Sequence, residues 1–187
     1  GVELCAGHTI ERGNFDADGY DEVKVDGSVY NAGDTITLDG NTYTVMIVSG
    51  LTYGTTGNDF IVGSDGYDEI YGKEGDDFIV GLAGDDWLYG DRISGTTSDD
   101  TITGGDDILC GNGGNDRLFG DWIGGGDDEI YGWGRGNDTI TGGDDKLDGG
   151  DGNDLLYGDR IDGHIGDDII TGGDDILSGN GGIDGLF

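Results

Sequence analysis

The sequence predicts an all-β fold in which a small antiparallel β element precedes a long repeat array. Residues 54–89 consist of four consecutive nine-residue units, each ending in a triplet with a central Ile or Leu. An Asp-x-(Ile/Leu) signature then continues to residue 187 through units of varying length. Residues 1–53 lack this repeat and contain the alternating polar and apolar stretches typical of half-buried strands. We therefore expect two domains, residues 1–53 and residues 54–187.

The N-terminal segment predicts a small antiparallel β cap. Residues 23–25, 35–38 and 42–45 alternate in polarity as strands with one buried face do. Asp39-Gly40 separates the last two stretches and Asp26-Gly27 follows the first, and both dipeptides are hairpin turn signals. The open end of a repeat array exposes unpaired strand edges, so we expect this element to cover the first coil.

The four regular units are GTTGNDFIV, GSDGYDEIY, GKEGDDFIV and GLAGDDWLY. Each has Gly at its first and fourth places, Asp at its sixth, and Ile or Leu at its eighth. This pattern is similar to the consensus GGxGxDxUx, and the array resembles the RTX (repeats-in-toxin) nonapeptide family, the hemolysin-type calcium-binding repeats. The resemblance extends over residues 54–187.

The resemblance implies a right-handed parallel β-roll, or β-helix solenoid, that binds several calcium ions. Only the middle residue of each triplet points inward, so we expect the eighth-place Ile and Leu side chains to form the entire, thin core. Two units make one coil of about eighteen residues, and the fourteen units of the array predict about seven coils.

Loop lengths change beyond residue 89. The units that follow contain 14, 7, 9, 12, 10, 7, 9, 14, 7 and 9 residues. The contracted units begin with GGDD and lack two loop residues, so we expect tight turns with incomplete metal sites there. The long units that contain Asp91-Arg92 and Asp159-Arg160 are expected to bulge outward or to hold an internal ion pair.

The sixth-place aspartates are the candidate calcium ligands. Glycine lets carbonyl oxygens turn toward the space between stacked loops, and each Asp adds a carboxylate. Calcium takes six to eight such oxygen ligands. The candidates are Asp59, Asp68, Asp77, Asp86, Asp100, Asp116, Asp128, Asp138, Asp154, Asp168 and Asp184, and the contracted units add Asp107, Asp145 and Asp175.

A second acidic motif lies in the N-terminal segment. Residues 16–21 resemble the start of a helical calcium-hand loop, but Gly27 stands where the closing Glu is required. Residues 18–24 alternatively match the second half of an RTX unit, and a solvated acidic turn is a third interpretation. Asp16, Asp18 and Asp21 are therefore additional candidate calcium ligands.

The charge balance selects the class of partner. The chain has 41 acidic and 8 basic residues, for a net charge of -33. Multivalent cations are the expected partners, whereas nucleic acid and anionic membranes would be repelled. No run of eighteen apolar residues is present, so we expect no membrane insertion.

Cys5 and Cys110 are the only cysteines. One lies in the N-terminal segment and the other lies inside the array. A disulfide between them is possible in principle, but this separation favours two free, inert thiols.

Two further surface features leave alternatives open. Aromatic residues at outward ninth places either mark a contact surface or are covered by neighbours on the coil. Self-association or further repeats at the uncapped C-terminal end would follow from the first interpretation. The aromatic residues are Tyr71, Tyr89, Phe119, Tyr131, Tyr157 and Phe187, with Phe60 and Trp87 at seventh places.

Outward-facing Thr pairs suggest ice or surface binding. The pairs are Thr101 with Thr103 and Thr139 with Thr141. Two Thr pairs do not make a continuous ladder.

Nothing in the sequence predicts catalysis. His8 and His164 lie in different regions, and no Gly-x-Ser-x-Gly motif is present. The resemblance implies a structural or adhesive calcium-binding module of a secreted or cell-surface bacterial protein, exported by type I secretion and folding on extracellular calcium. The alternative is a carrier or secretion-assisting module of a larger secreted enzyme or toxin, such as a lipase, protease or epimerase.

Overall fold

A computed structural model describes residues 3–94, 101–124, 139–141, 143–162, 169–171 and 173–187. No helix long and apolar enough to span a membrane occurs among these residues. Their strands are β1 (Glu3–Cys5), β2 (His8–Gly13), β3 (Glu22–Val25), β4 (Ser28–Tyr30), β5 (Thr35–Leu38), β6 (Asn41–Ile47), β7 (Leu51–Tyr53), β8 (Asp59–Val62), β9 (Glu69–Tyr71) and β10 (Phe78–Ala83). They continue with β11 (Trp87–Ser94), β12 (Thr101–Thr103), β13 (Ile108–Gly113), β14 (Arg117–Gly124), β15 (Thr139–Thr141), β16 (Lys146–Asp151), β17 (Leu155–Asp162), β18 (Ile169–Thr171), β19 (Ile176–Ser178) and β20 (Gly185–Leu186).

The N-terminal segment contains the predicted antiparallel strands. Strands β1 to β4 form one sheet in chain order, which we call the N-terminal sheet, and β5 pairs antiparallel with β6. Asp26 and Asp39 have φ values of 48° and 51°, and the glycine after each has φ of 87° and 95°. Asp and Gly tolerate this left-handed conformation at tight hairpins, so both turn predictions are confirmed.

The array forms parallel sheets. The first long sheet has the order β19-β16-β13-β10-β8-β6-β5, and the second long sheet has the order β20-β17-β14-β11-β9-β7. Strands β5 to β7 precede the predicted boundary at residue 54 but extend these same two sheets. Strands β12, β15 and β18 form a third sheet. It aligns Thr101 with Thr139 and Ile169, and Thr103 with Thr141 and Thr171, so one of its two Thr rows is interrupted and the other continues over all three strands.

The coil length varies along the array. Ile79 pairs with Ile61, 18 residues earlier, as expected from the regular units. The next strands of the same sheet pair Leu109 with Ile79 and Leu147 with Leu109, at separations of 30 and 38 residues. The prediction of about eighteen residues per coil is therefore wrong beyond β10, because the strands of the third sheet are inserted into the later coils. The total of about seven coils rested on two units per coil and is not confirmed.

The inward-facing Ile and Leu residues form the predicted internal stack. The buried members are Ile61, Ile70, Ile79, Leu88, Leu109, Leu118, Leu147 and Leu156. Leu186, on the last strand, is 47 % exposed. The middle residues of β12, β15 and β18 lie in the third sheet, and the candidate core residue Ile130 lies outside the described residues.

This stack is not the entire core, contrary to expectation. The N-terminal sheet packs on the outer face of the first long sheet, where Phe60, Val62, Phe78 and Val80 are all fully buried. Ile10 and Val25 of the N-terminal sheet belong to the same apolar cluster. Strand alternation places these outward residues on the face opposite the internal stack, so the first long sheet is covered on both sides.

Cys5 and Cys110 form a disulfide across this interface. The expectation of free thiols is wrong. The N-terminal sheet folds back over the array, which brings β1 against β13 and places the two Cα atoms 5.8 Å apart. The bond closes a separation of 105 residues.

Aromatic residues at ninth places stack on one another along the second long sheet. Successive ring centroids from Tyr53 through Tyr71 and Tyr89 lie 5.0 and 4.5 Å apart. The stack continues through Phe119 and Tyr157 to Phe187 at 4.9, 5.2 and 4.8 Å. Tyr71, Tyr89 and Phe119 are buried, so neighbouring rings and side chains cover the middle of the stack. Phe60 is buried as well, and Tyr131 lies outside the described residues.

Candidate metal centre

Two columns of aspartates run along the array, one at each edge where a loop enters a long sheet. In each column, the carboxylate Oδ1 of an Asp accepts a hydrogen bond from the backbone N–H of the Asp one coil earlier, at 2.7 to 3.1 Å. The first column contains Asp59, Asp77, Asp107, Asp145 and Asp175, and the second contains Asp68, Asp86, Asp116, Asp154 and Asp184.

The second carboxylate oxygen of each Asp faces a glycine. A Cβ atom added to Gly72 would lie 2.0 Å from Oδ2 of Asp77 and 2.9 Å from the carbonyl oxygen of Gly90 in the next coil. A Cβ at Gly81 would lie 2.3 Å from Oδ2 of Asp86 and 3.0 Å from the carbonyl oxygen of Gly111. First-place glycine is required because a carboxylate and a carbonyl oxygen converge on the space that a side chain would fill.

Near the middle of the columns, four of these Oδ2 atoms are buried and unsatisfied among the described residues. The Oδ2 atoms of Asp77, Asp86, Asp107 and Asp116 accept no hydrogen bond from any described residue. Buried polar atoms are nearly always satisfied, so a repeated unsatisfied carboxylate oxygen indicates a ligand. Carboxylate and carbonyl oxygens are the hard donors that calcium prefers. The donors present therefore fit calcium ions held between successive loops.

Burial also shifts the pKa values of these carboxyl groups. Burial, together with the charges of Asp59 and Asp91, raises the pKa of Asp77 to about 8. The pKa values of Asp86 and Asp116 rise to about 7, again mainly because of burial. Burial and three acidic neighbours hold the pKa of Asp107 well above its ordinary range. A divalent cation would offset both causes, because it neutralises the buried charge and replaces the lost solvation.

The contracted units have the same geometry as the regular ones. A Cβ at Gly90 would lie 1.9 Å from Oδ2 of Asp107 and 2.7 Å from the carbonyl oxygen of Gly120. Gly90 opens the fourteen-residue unit that precedes GGDD, and strand β12 lies between it and Asp107 in the chain. The loop residues that GGDD lacks are thus supplied from before the inserted strand. The expectation of a tight turn without this cradle is wrong for Asp107.

Asp91 is a carboxylate that the candidate ligand set omitted. Its Oδ2 accepts a hydrogen bond from the backbone N–H of Gly105 at 2.5 Å, and its buried Oδ1 has no partner among the described residues. Burial raises its pKa to about 7. Asp91 lies within β11, whereas residues 95–100 and the Arg92 side chain, on which the expected bulge and ion pair depend, lie outside the described part of the chain. The signal was present in the sequence, since Asp121 and Asp159 follow Gly120 and Gly158 in the same register.

The ends of the columns differ from their centres. Oδ2 of Asp59 accepts a hydrogen bond from the backbone N–H of Thr55 at 2.6 Å, and Oδ2 of Asp68 accepts one from Ser64 at 2.6 Å. Asp175 and Asp184, at the other end, are only half-buried. The candidates Asp100, Asp128, Asp138 and Asp168 lie outside the described residues.

The N-terminal acidic motif divides into two parts. Asp16 and Asp18 gather with Glu22, which the sequence interpretation had not included. Asp21 instead accepts a hydrogen bond from Nε of Arg12 at 3.0 Å. Asp21 therefore stands apart from the other two candidates. Glu22 was missed because its burial depends on the packing of β3 under the preceding loop.

Comparison with known families agrees with this geometry. The family model of the RTX calcium-binding nonapeptide repeat matches four times, over residues 53–88, 88–118, 104–122 and 123–156. No curated protein and no solved structure matched the chain.

Proposed function

Because this chain belongs to the RTX calcium-binding nonapeptide repeat family, we propose that it is a calcium-folded structural or adhesive module of a secreted bacterial protein. Repeats of this family bind calcium at multiple sites and are typical of secreted bacterial proteins. One observation carries the proposal: Oδ2 of Asp77 and of Asp107, one coil apart, are buried beside a carbonyl oxygen and accept no hydrogen bond from the described residues.

Calcium is proposed to act as the folding ligand. Each column stacks buried carboxylates one coil apart, each accepting a hydrogen bond from the backbone N–H of the preceding Asp, so their negative charges disfavour the folded chain until cations bind. Metal binding free energy then becomes folding free energy. Extracellular calcium-binding modules bind with dissociation constants of about 0.1 to 1 mM, so such a chain stays unfolded in the cytosol and folds outside the cell. Type I export of the unfolded chain is consistent with this sequence of events.

The Cys5–Cys110 disulfide supports an extracellular location. Disulfides persist in oxidising compartments and are rare in the bacterial cytosol. The bond joins the N-terminal sheet to β13 of the array, so it can form only after both parts have folded. In our proposal, export, calcium binding and disulfide formation follow in that order. The N-terminal strands serve as the cap of the array.

We assign no catalytic step to this chain. His8 is held between Asp26 at 2.7 Å and Asp39 at 3.3 Å, where its role is structural. The carboxylates of the array are better explained as ligands than as an acid–base pair, because they repeat along whole columns.

Circular dichroism of the full chain during a calcium titration tests the proposal. We expect a largely disordered spectrum in metal-free buffer and a cooperative change to a β spectrum at about millimolar calcium. Magnesium chloride at equal ionic strength is the control for charge screening. A β spectrum that excess chelator leaves unchanged would contradict the proposal.

A further inference from the structure

The loop between β2 and β3 gathers three carboxylates outside the array. One oxygen from each of Asp16, Asp18 and Glu22 lies within 4.8 Å of the other two. Asp16 and Asp18 are exposed, whereas Glu22 is fully buried. None of the three takes part in an ion pair between described residues, because Arg12 pairs with Asp21 and Lys24 pairs with Glu11.

The buried Glu22 side chain has one carboxylate oxygen with a hydrogen-bond partner and one without. Its Oε2 accepts a hydrogen bond from the backbone N–H of Phe15 at 2.6 Å. Its Oε1 is buried and has no hydrogen-bond partner among the described residues. A buried carboxylate that has no compensating partner destabilises a folded protein. A cation between the three side chains would supply the compensation.

We infer that Asp16, Asp18 and Glu22 form a calcium site that is separate from the array. Calcium lies 2.3–2.6 Å from its oxygen ligands, so two ligands on opposite sides of one ion are about 4.6 to 5.2 Å apart. The observed limit of 4.8 Å is consistent with three oxygens around one ion. Glu22 contributes the buried ligand, the two exposed aspartates close the site from the solvent side, and water completes the coordination.

The site also connects to the array through its own loop. Asp21 lies next to Glu22 in the chain and accepts a hydrogen bond from Arg12. The same guanidinium donates to the carbonyl oxygens of Val48 and Gly63, where the array begins. An ion at Glu22 therefore fixes the loop that holds Arg12 against the first coils.

Calcium stoichiometry of the full chain, measured by equilibrium dialysis at saturating calcium chloride, tests this inference. Glu22→Gln keeps the side-chain volume but removes the charge, and Asp18→Asn changes an exposed residue. We expect each variant to bind one ion fewer than the parent chain, and the double variant to lose one ion rather than two. Glu11→Gln, in the same sheet and paired with Lys24, is the matched control and should retain every ion.

Circular dichroism of the same samples separates this site from the array. We expect both variants to fold on adding calcium, because the aspartate columns are intact. Glu22→Gln should also tolerate lower calcium before unfolding than its charge-retaining relative Glu22→Asp, since it removes the buried charge. If both Glu22→Gln and Asp18→Asn fold and bind as many ions as the parent chain, the inference is wrong, whereas the calcium-dependent folding of the array stands.

Discussion

The guanidinium of Arg12 donates a hydrogen bond to the carbonyl oxygen of Gly63, the first-place glycine of a repeat unit. The same nitrogen donates to Val48, which occupies the equivalent place one coil earlier, because Ile47 pairs with Val62. One coil later on this edge, no Arg is present among the described residues, and the carbonyl oxygen of Gly81 and Oδ2 of Asp68 both point to the space beside Gly63. Arg12 therefore places a permanent cation at the N-terminal end of a column of proposed calcium sites.

Replacing Arg12 should make folding require more calcium. Arg12→Gln removes a charged donor from two carbonyl oxygens and from Asp21, and hydrogen bonds to charged groups contribute roughly 1.5 to 3 kcal/mol each. We expect the calcium midpoint of folding, followed by circular dichroism, to rise roughly tenfold or more. Arg117→Gln, an exposed cation that stacks on Trp87, is the matched control and should leave the midpoint within twofold. Equal midpoints for Arg12→Gln and the parent chain would show that Arg12 is not needed there.

Asp107 provides a test of the contracted units. Its Oδ2 lies beside a glycine and the carbonyl oxygen of a glycine in the next coil, as Oδ2 of Asp77 does in a regular unit. Asp107→Asn keeps an acceptor at Oδ1 but lowers the ligand charge, so we expect fewer bound calcium ions and a calcium midpoint roughly tenfold higher. Asp106→Asn changes the exposed neighbouring residue and should have little effect.

Asp77→Asn is the positive comparison for that experiment. If calcium binding is impaired by Asp77→Asn but not by Asp107→Asn, then the contracted units fold without metal. The proposed role of Asp107 would then be incorrect, even though its geometry matches.

The regular part of the site was predictable from sequence, and the irregular part was not. Asp77 and Asp86 follow from a constant nine-residue spacing, because a fixed period places equivalent residues above one another. The position of Asp91 does not follow from that nine-residue spacing, since strand β12 separates Asp91 from the loop that it joins; only the recurrence of Gly-Asp at residues 120–121 and 158–159 marks it. No local sequence pattern predicts whether an inserted strand lengthens a loop or forms a third sheet.

Long-range packing explains the other errors. The Cys5–Cys110 pair and the burial of Phe60 both depend on the N-terminal sheet folding back over the outer face of the array. Alternation in the sequence predicts which side of a strand is apolar but not which partner covers the second apolar face. The turns at Asp26 and Asp39, in contrast, are determined by two adjacent residues and were predicted correctly.

The raised pKa values predict that protons compete with calcium. Folding raises the pKa of Asp77 to about 8 and those of Asp86, Asp91 and Asp116 to about 7, from about 3.9 in the unfolded chain. The folded form therefore holds protons that the unfolded chain releases. In metal-free buffer, the folded state should lose stability as pH rises from about 4 toward 8.

The calcium midpoint of folding should change little between pH 6 and pH 8. The metal-free chain is expected to be unfolded there, with these carboxyl groups ionised at their ordinary pKa of about 3.9, and they stay ionised in the calcium-bound fold. Below about pH 5 the unfolded chain takes up protons that calcium must displace, so the midpoint should rise. Titrations followed by circular dichroism at constant ionic strength provide the measurement. A midpoint that falls roughly tenfold between pH 6 and pH 8 would mean that the metal-free chain is already folded, with protonated aspartates.

Gly72 tests whether the space between Asp77 and Gly90 is reserved for an ion. A Cβ there would lie 2.0 Å from Oδ2 of Asp77, whereas a Cβ at Gly57 would meet nothing closer than Oγ1 of Thr55 at 3.9 Å. We expect Gly72→Ala to destabilise the calcium-bound chain by roughly 1 to 3 kcal/mol through overpacking and to lower the number of bound ions. Gly57→Ala, the matched control, should remain within about 1 kcal/mol of the parent chain. Thermal unfolding measures the loss of stability, and equilibrium dialysis at the same calcium concentration measures the number of bound ions. A loss of stability with full calcium binding would indicate that the methyl group strains the turn without entering the metal site.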